Sequence, residues 1–311
     1  MKKVALMFPG QGSQTVGMGK EFHDNYPDIQ SLYERANHVV EKDIRRLMFE
    51  GPQEELTETE NAQPALLLAS IAIHTILKKE EIEPVTAVGH SLGEYSALVA
   101  AGAISLDQAL PLVARRGKLM EEAFPSGQGS MAAVLGLSEA AIEAALKQVS
   151  RSETVEIANL NCPGQIVISG TKAGLVEAAD HLKEAGAKRV LPLNVSGPFH
   201  SALMKPANIE FSKALQNLEI TDGLLPIYAN VTATPVTKKD EIIDLLLKQL
   251  YSPVRFEESI ENIIANGIDG FVEIGNGRVL SGLVRKINRN IPTFSVQDPD
   301  SMEKFITWYR G

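Results

Sequence analysis

Val88-Gly89-His90-Ser91-Leu92-Gly93-Glu94 is a G-x-S-x-G stretch, and its two flanks decide how the chain reads. Ahead of it, Thr86-Ala87-Val88 follows Pro84 as a short buried strand. Behind it, Glu94 to Ala101 reads as a helix that Gly102 ends. A serine at a sharp strand-to-helix turn is exposed, sits at a helix N-terminus and has a backbone N–H beside it. Those are the requirements of an activated acyl-transfer nucleophile, and the two glycines let the backbone make the turn.

Moving outward, Val4-Ala5-Leu6-Met7-Phe8 reads as a first buried strand that runs into the loop Pro9-Gly10-Gln11-Gly12-Ser13-Gln14. Neither phosphate-loop pattern fits. Met18 stands where a Walker motif needs lysine, and Thr15 where a dinucleotide fingerprint needs glycine. The loop instead brings backbone and Gln11 close to a ligand. Helices are predicted over 28–49, 63–80, 92–101 and 105–123. Pro64 is placed in the first turn of the second, Ser105…Gln108 is read as a capping box, and Pro111 is expected to kink the last. From 127 to 195 the order strand, helix, strand, strand, helix, strand is a ferredoxin-like pattern, with a turn at Cys162-Pro163-Gly164. Alternating elements then resume: helix 201–217, strand 226–229, helices 239–249 and 256–266, strand 270–274 and helix 278–289. The expected organisation is an α/β catalytic domain over 1–126 and 196–311, with a small domain inserted at 127–195.

Charge and cysteine content narrow the class. A formal charge of −9 gives no support to nucleic-acid or anionic-membrane binding. One cysteine, Cys162, excludes an internal disulfide or a multi-cysteine metal site and fits a reducing compartment. The apolar run after Lys2-Lys3 is too short for a signal-peptide core, and the segment 65–77 is interrupted by Ser70, His74 and Thr75. A cytoplasmic enzyme, monomeric for want of a dimer motif, is the expectation.

Ser91 needs a base, and there are six histidines to test. His23, His38 and His181 lie among polar residues on surface helices. His74 reads as a core residue, and His90 points away from its neighbour at a tight turn, which suits a structural or pocket-lining role. His200 remains, presented by Ser196-Gly197-Pro198-Phe199 at the start of a predicted helix whose dipole keeps the ring neutral. No acid partner is evident; Asp222, Asp269 and Glu273 are possible on order alone, and a carbonyl could orient the ring instead.

Arg116 stands out on helix 105–123. Ala109, Leu112, Val113, Met120 and Ala123 form an apolar stripe with Arg116 in its middle, whereas Arg115 falls on the polar side. A buried guanidinium needs an anion. Either an internal carboxylate supplies it, or a substrate carboxylate does.

Taken together, Phe8-Pro9-Gly10-Gln11-Gly12-Ser13-Gln14, the stretch from Gly89 to Ala97, Arg116-Gly117-Lys118, Asn161-Cys162-Pro163-Gly164-Gln165, Ser196-Gly197-Pro198-Phe199-His200 and Gln249-Leu250-Tyr251-Ser252-Pro253-Val254 resemble the malonyl-CoA:acyl-carrier-protein transacylases of fatty acid synthesis. The resemblance spans almost the whole chain. It implies an α/β-hydrolase-like large domain with a ferredoxin-like insertion, no cofactor and no metal. It also implies Ser91 as nucleophile, His200 as base and then acid, the Gln249 carbonyl as the group orienting His200, and the N–H groups of Gln11 and Leu92 as oxyanion hole. Arg116 would hold the malonyl carboxylate, in a pocket shared with Phe199, Met120 and His90. Phe199 before the histidine and Leu92 after the serine favour malonyl over methylmalonyl, although one methyl is worth only about 1–3 kcal/mol. Asn276, where the family commonly has proline, and Cys162, where it commonly has serine, depart from the pattern.

The implied partners are malonyl-CoA and an acidic acyl carrier protein, in fatty acid or polyketide synthesis. An acidic chain must offer such a carrier a local basic patch. Arg278, Arg285 and Arg289, read as one stripe of helix 278–289, and Lys188-Arg189 are the candidates. Two other classes compete: a serine hydrolase, including a patatin-like Ser–Asp enzyme using Asp222-Gly223 or Asp269-Gly270, and a non-catalytic carrier-binding scaffold.

Overall fold

A computed structural model describes residues 2–311. Its eleven strands among these residues are β1 (Val4–Phe8), β2 (Thr86–Gly89), β3 (Gly129–Leu135), β4 (Val155–Cys162), β5 (Gln165–Thr171), β6 (Arg189–Pro192), β7 (Ile227–Tyr228), β8 (Pro235–Val236), β9 (Val254–Arg255), β10 (Gly270–Ile274) and β11 (Thr293–Val296). They form two sheets in a mixed α/β chain, with strand orders β11-β10-β1-β2-β7-β8 and β6-β3-β5-β4-β9.

The larger sheet is parallel apart from β8, and β1, β2 and β10 are buried on both faces. That is why their sequences run apolar without alternation. Phe8 pairs with Gly89 at the carboxyl ends of β1 and β2. The Gly10-Gln11 loop and the turn bearing Ser91 therefore leave the sheet side by side, in the crevice where open α/β sheets bind ligands.

Thr59–Lys79 is a helix buried nearly all round, and Leu106–Glu122 packs against it. The approach is close at Gly117, where an added Cβ would sit 2.6 Å from the Thr59 carbonyl oxygen. Glycine after Arg116 thus lets that stretch of helix press against Thr59–Lys79.

In the smaller sheet β3 to β6 pair antiparallel. The helices Glu139–Leu146 and Lys172–Glu184 bury Ile142, Ala178 and Leu182 against Val134 and Ile168. This sheet is not closed on itself. β9, from far along the chain, adds parallel to β4.

Several boundaries differ from the sequence expectation. The predicted helix 28–49 is two helices, Pro27–Val39 and Ile44–Glu50, because Asp43 accepts the Arg46 N–H and caps a new start. Thr59–Lys79 begins before Pro64, which lies inside the helix. Leu106–Glu122 runs through Pro111, which is exposed and near the start, so few backbone bonds are forgone. At its N-terminus the Gln108 amide accepts from the Ser105 hydroxyl and leaves the Ser105 backbone alone, so only half of a capping box forms. The predicted helix 201–217 starts as a 3₁₀ turn, Ala202–Met204, before Lys205–Gln216. The helix Val279–Ile287 begins after Arg278 and ends before Arg289, so the three arginines do not share a helical stripe. His23 is half-buried against the rings of Tyr33 and Phe49 and is no free surface group. His74 is half-buried as well, at the end of its helix's apolar run. No helix among the described residues is long and apolar enough to cross a membrane.

Candidate active site

Ser91 sits between β2 and the helix Leu92–Ala100 with φ 51° and ψ −105°. A non-glycine residue in that region stores about 1–3 kcal/mol of strain, held in place by its surroundings. The surroundings demand glycine on both sides: a Cβ on Gly89 would overlap the Gly93 backbone, and one on Gly93 the Phe8 carbonyl. Gly10 is under the same constraint from the His90 carbonyl. Packing of three backbones at one point, with little room for side chains, is what raises the serine out of the turn.

His200, itself at φ 59°, places Nε2 2.8 Å from Ser91 Oγ and Nδ1 2.9 Å from the Gln249 carbonyl oxygen. A carbonyl only accepts, so Nδ1 carries the proton and Nε2 is left to accept from the serine hydroxyl. Burial pushes the His200 pKa down to about 3, and the nearby Arg116 cation adds to the effect. Burial and the Arg116 charge thus favour the neutral ring, and the predicted helix start beyond His200 is a 3₁₀ turn, Ala202–Met204, leading into Lys205–Gln216. The three carboxylates considered as ring partners lie elsewhere. Asp222 pairs with Lys238, Asp269 accepts from the Lys3 N–H, and buried Glu273 accepts from the N–H groups of Leu280 and Ser281.

Arg116 is 1% exposed. Its Nη1 donates to Gln63 Oε1 at 2.7 Å, and its Nη2 to Ser91 Oγ at 3.1 Å and to Gln249 Oε1 at 3.0 Å. The guanidinium lies 5.2 Å from the centre of the Tyr95 ring, and its Nε has no hydrogen-bond partner among the described residues. Every group touching it is neutral; among the described residues no carboxylate lies within ion-pair distance. Burial lowers its pKa from the usual arginine value.

A pocket of about 140 Å³ opens over Ser91 and His200, lined by Gln11, His90, Met120, Met131, Asn159 and Phe199 among others. Leu92 is the first residue of its helix, so its N–H has no intrahelical acceptor and remains available beside Ser91. The Gln11 side chain is turned away to Thr59 Oγ1. His90 Nε2 meets Asn161 Oδ1 at 2.8 Å.

Four further residues complete this network, none of them assigned a role by the sequence. Asn230 accepts the Ser91 N–H through Oδ1 at 2.8 Å and donates Nδ2 to the Gly89 carbonyl at 2.6 Å. Glu94, 3% exposed, accepts from Asn230 N at 3.1 Å and from Gln249 Nε2 at 2.7 Å. Gln63 fixes Arg116, and Asn161 fixes His90. Glu94 and Gln63 fall within helical stretches, where buried polar positions could have been noticed as Arg116 was. Asn230, in the loop after β7, had no such marker.

A serine on a strained elbow, an imidazole in reach of it and a buried guanidinium beside both define an acyltransferase-type site. The chain belongs to the acyl transferase domain family, whose model matches residues 6–296. Within it, the chain is 51% identical over 307 residues to the malonyl CoA-acyl carrier protein transacylase of Bacillus subtilis (strain 168), covering 98% of this chain and 97% of that one. Its fold is similar to an acyl carrier protein S-malonyltransferase from Vibrio cholerae, with TM-score 0.95 and 43% identity over 97% of this chain and 99% of the other. It is equally similar to a malonyl-transacylase solved in complex with a type II PKS acyl-carrier protein, with TM-score 0.96 and 42% identity over 98% and 99% of the two chains.

Proposed function

We propose that the protein transfers the malonyl group of malonyl-CoA to the phosphopantetheine thiol of an acyl carrier protein, through a malonyl-serine intermediate. The observation that carries this reading is Arg116: a buried cation with only neutral partners, donating to the nucleophile's own oxygen. A substrate that brings a carboxylate to this point supplies a directly bonded anion, and a planar fork holds it in one pose.

In this mechanism the Ser91 hydroxyl gives its proton to His200 Nε2 and attacks the thioester carbonyl. The developing imidazolium is oriented and stabilised by the Gln249 carbonyl at Nδ1. The oxyanion is received by the N–H groups of Leu92 and Gln11, each such donor being typically worth about 2.7–4 kcal/mol in the transition state. His200 returns the proton to the departing CoA sulfur, leaving malonyl-Ser91. The carrier thiol then enters and the sequence runs in reverse. Phe199, 4% exposed, and Met120 line the pocket and limit the volume around the acyl α-carbon, which favours malonyl over branched homologues.

The large sheet and its elbow support an α/β-hydrolase-like assignment for 1–126 and 196–311. The antiparallel order β6-β3-β5-β4 with two helices on one face supports a ferredoxin-like assignment for 127–195. Arg278, Arg285, Arg289, Lys188 and Arg189 are all exposed and form the proposed docking surface for an acidic carrier. The test is incubation with malonyl-CoA and holo carrier protein. Malonyl-carrier is the expected product; free malonate alone would mean a hydrolase.

A further inference from the structure

Glu94 has no part in the steps above, yet it is among the most deeply enclosed charged side chains of the molecule. It lies in the first turn of the helix that starts at Ser91's neighbour, where the helix N-terminus favours a negative charge. Its Oε2 takes two donors, Asn230 N and Gln249 Nε2. The same Gln249 amide accepts from Arg116 Nη2 through Oε1. One side-chain amide thus joins a buried anion to a buried cation, with its dipole aligned between them, while the backbone carbonyl of that residue holds His200.

We infer that Glu94 is a positioning residue: acting through the Gln249 amide, it is the internal counter-charge that balances Arg116 in the unacylated enzyme and yields to the substrate carboxylate. This rests on the proposed recognition of a malonyl carboxylate by Arg116. Two isolated buried charges would each be costly, whereas an amide-bridged pair offsets part of that cost. A directly bonded carboxylate would occupy the guanidinium fork and exclude the substrate. The bridged arrangement leaves the fork's contacts neutral and exchangeable. Burial raises the Glu94 pKa to about 7 against the opposing bonds from Asn230 and Gln249 and the Arg116 charge, so the carboxylate carries its full charge only above neutral pH.

The test is Glu94→Gln, which keeps the shape and an acceptor oxygen for Gln249 and removes the charge. With the internal anion gone, Arg116 attracts the substrate carboxylate more strongly. The ratio of kcat/KM for malonyl-CoA to that for acetyl-CoA, assayed above neutral pH where Glu94 is ionised, should then rise by about 30- to 100-fold, the scale of a charge interaction over roughly 6–8 Å at an effective interior dielectric of about 20. Acetyl-CoA carries no carboxylate and reports any general damage to the elbow. A parallel Glu94→Asp variant, which retains the charge, should keep the wild-type ratio even if its rate falls. An unchanged or lowered ratio in Glu94→Gln overturns the inference, because a merely structural Glu94 would slow both substrates alike. Failure of the wild type itself to prefer malonyl-CoA would instead refute the reading of Arg116 on which the inference rests.

Discussion

Replacing Arg116 with alanine separates carboxylate recognition from everything else in the site. Two charge-assisted hydrogen bonds to a substrate carboxylate are worth about 1.5–3 kcal/mol each. In the unacylated protein, Nη1 and Nη2 already hold Gln63, Gln249 and Ser91. Binding therefore exchanges neutral partners for a charged one, and roughly half of the gross gain survives. The net loss is about 1.5–3 kcal/mol, or ~10- to 150-fold in kcat/KM for malonyl-CoA. Arg116 also donates to Ser91 Oγ, so some loss will be common to every acyl group. Steady-state kinetics with malonyl-CoA and acetyl-CoA on the same variant cancel that common part. The malonyl-to-acetyl ratio should collapse, and an equal loss for both substrates would refute carboxylate recognition. Thermal unfolding of the variant is a control: Gln63 and Gln249 each lose a donor in the core, at about 1–3 kcal/mol per unsatisfied group.

Other outcomes follow from the same geometry. His200 is held well below the ordinary histidine value of 6.5 by burial and by Arg116. A lowered pKa keeps the base deprotonated as pH falls, so the acid limb of kcat/KM should lie below 6.5, and Arg116→Ala should move it upward; a wild-type limb at or above 6.5 would contradict this. His74, lowered to about 4 by burial and Lys78, binds a proton in the unfolded chain before the native one can. Its contribution to stability is therefore lost as pH falls from about 6.5 towards 4, and His74→Gln should flatten the decline of Tm over that window. Ser91→Gly relieves the positive φ that Ser91→Ala retains, so the glycine variant should be the more stable by about 1–2 kcal/mol in denaturant titration, both being inactive. Were the alanine variant the more stable, the strain assigned to the elbow would be wrong.

Much of the frame could be read before the structure, where side chains follow a period or a motif. The apolar runs of β1 and β10 and the glycine pair around Ser91 mark the large sheet and its turn. The 3.6-residue stripe put Arg116 on a buried face, and elimination among six histidines left His200. What escaped has a physical cause. The two-residue strands β8 and β9 are too short for any periodicity, and the strand β11 and helix Pro299–Arg310 close the fold with mixed polar sequence. The group that orients His200 is a backbone carbonyl, which no side-chain pattern encodes; only family resemblance pointed to Gln249. Asn230 works by bonding backbone groups brought together from distant segments, so its role exists only once the chain has folded. Glu94 was visible as a residue of the motif, but nothing in the motif says that its carboxylate is buried.

The central claim is a malonyl-serine at position 91 that passes to a carrier thiol. Intact-mass spectrometry after mixing with malonyl-CoA, followed by peptide mapping, tests it most directly. One malonyl group should appear on the Ser91 peptide, be absent from Ser91→Ala, and disappear as holo carrier protein is added and becomes malonylated in step. No adduct, an adduct on another residue, or loss of the adduct only as free malonate would contradict the account.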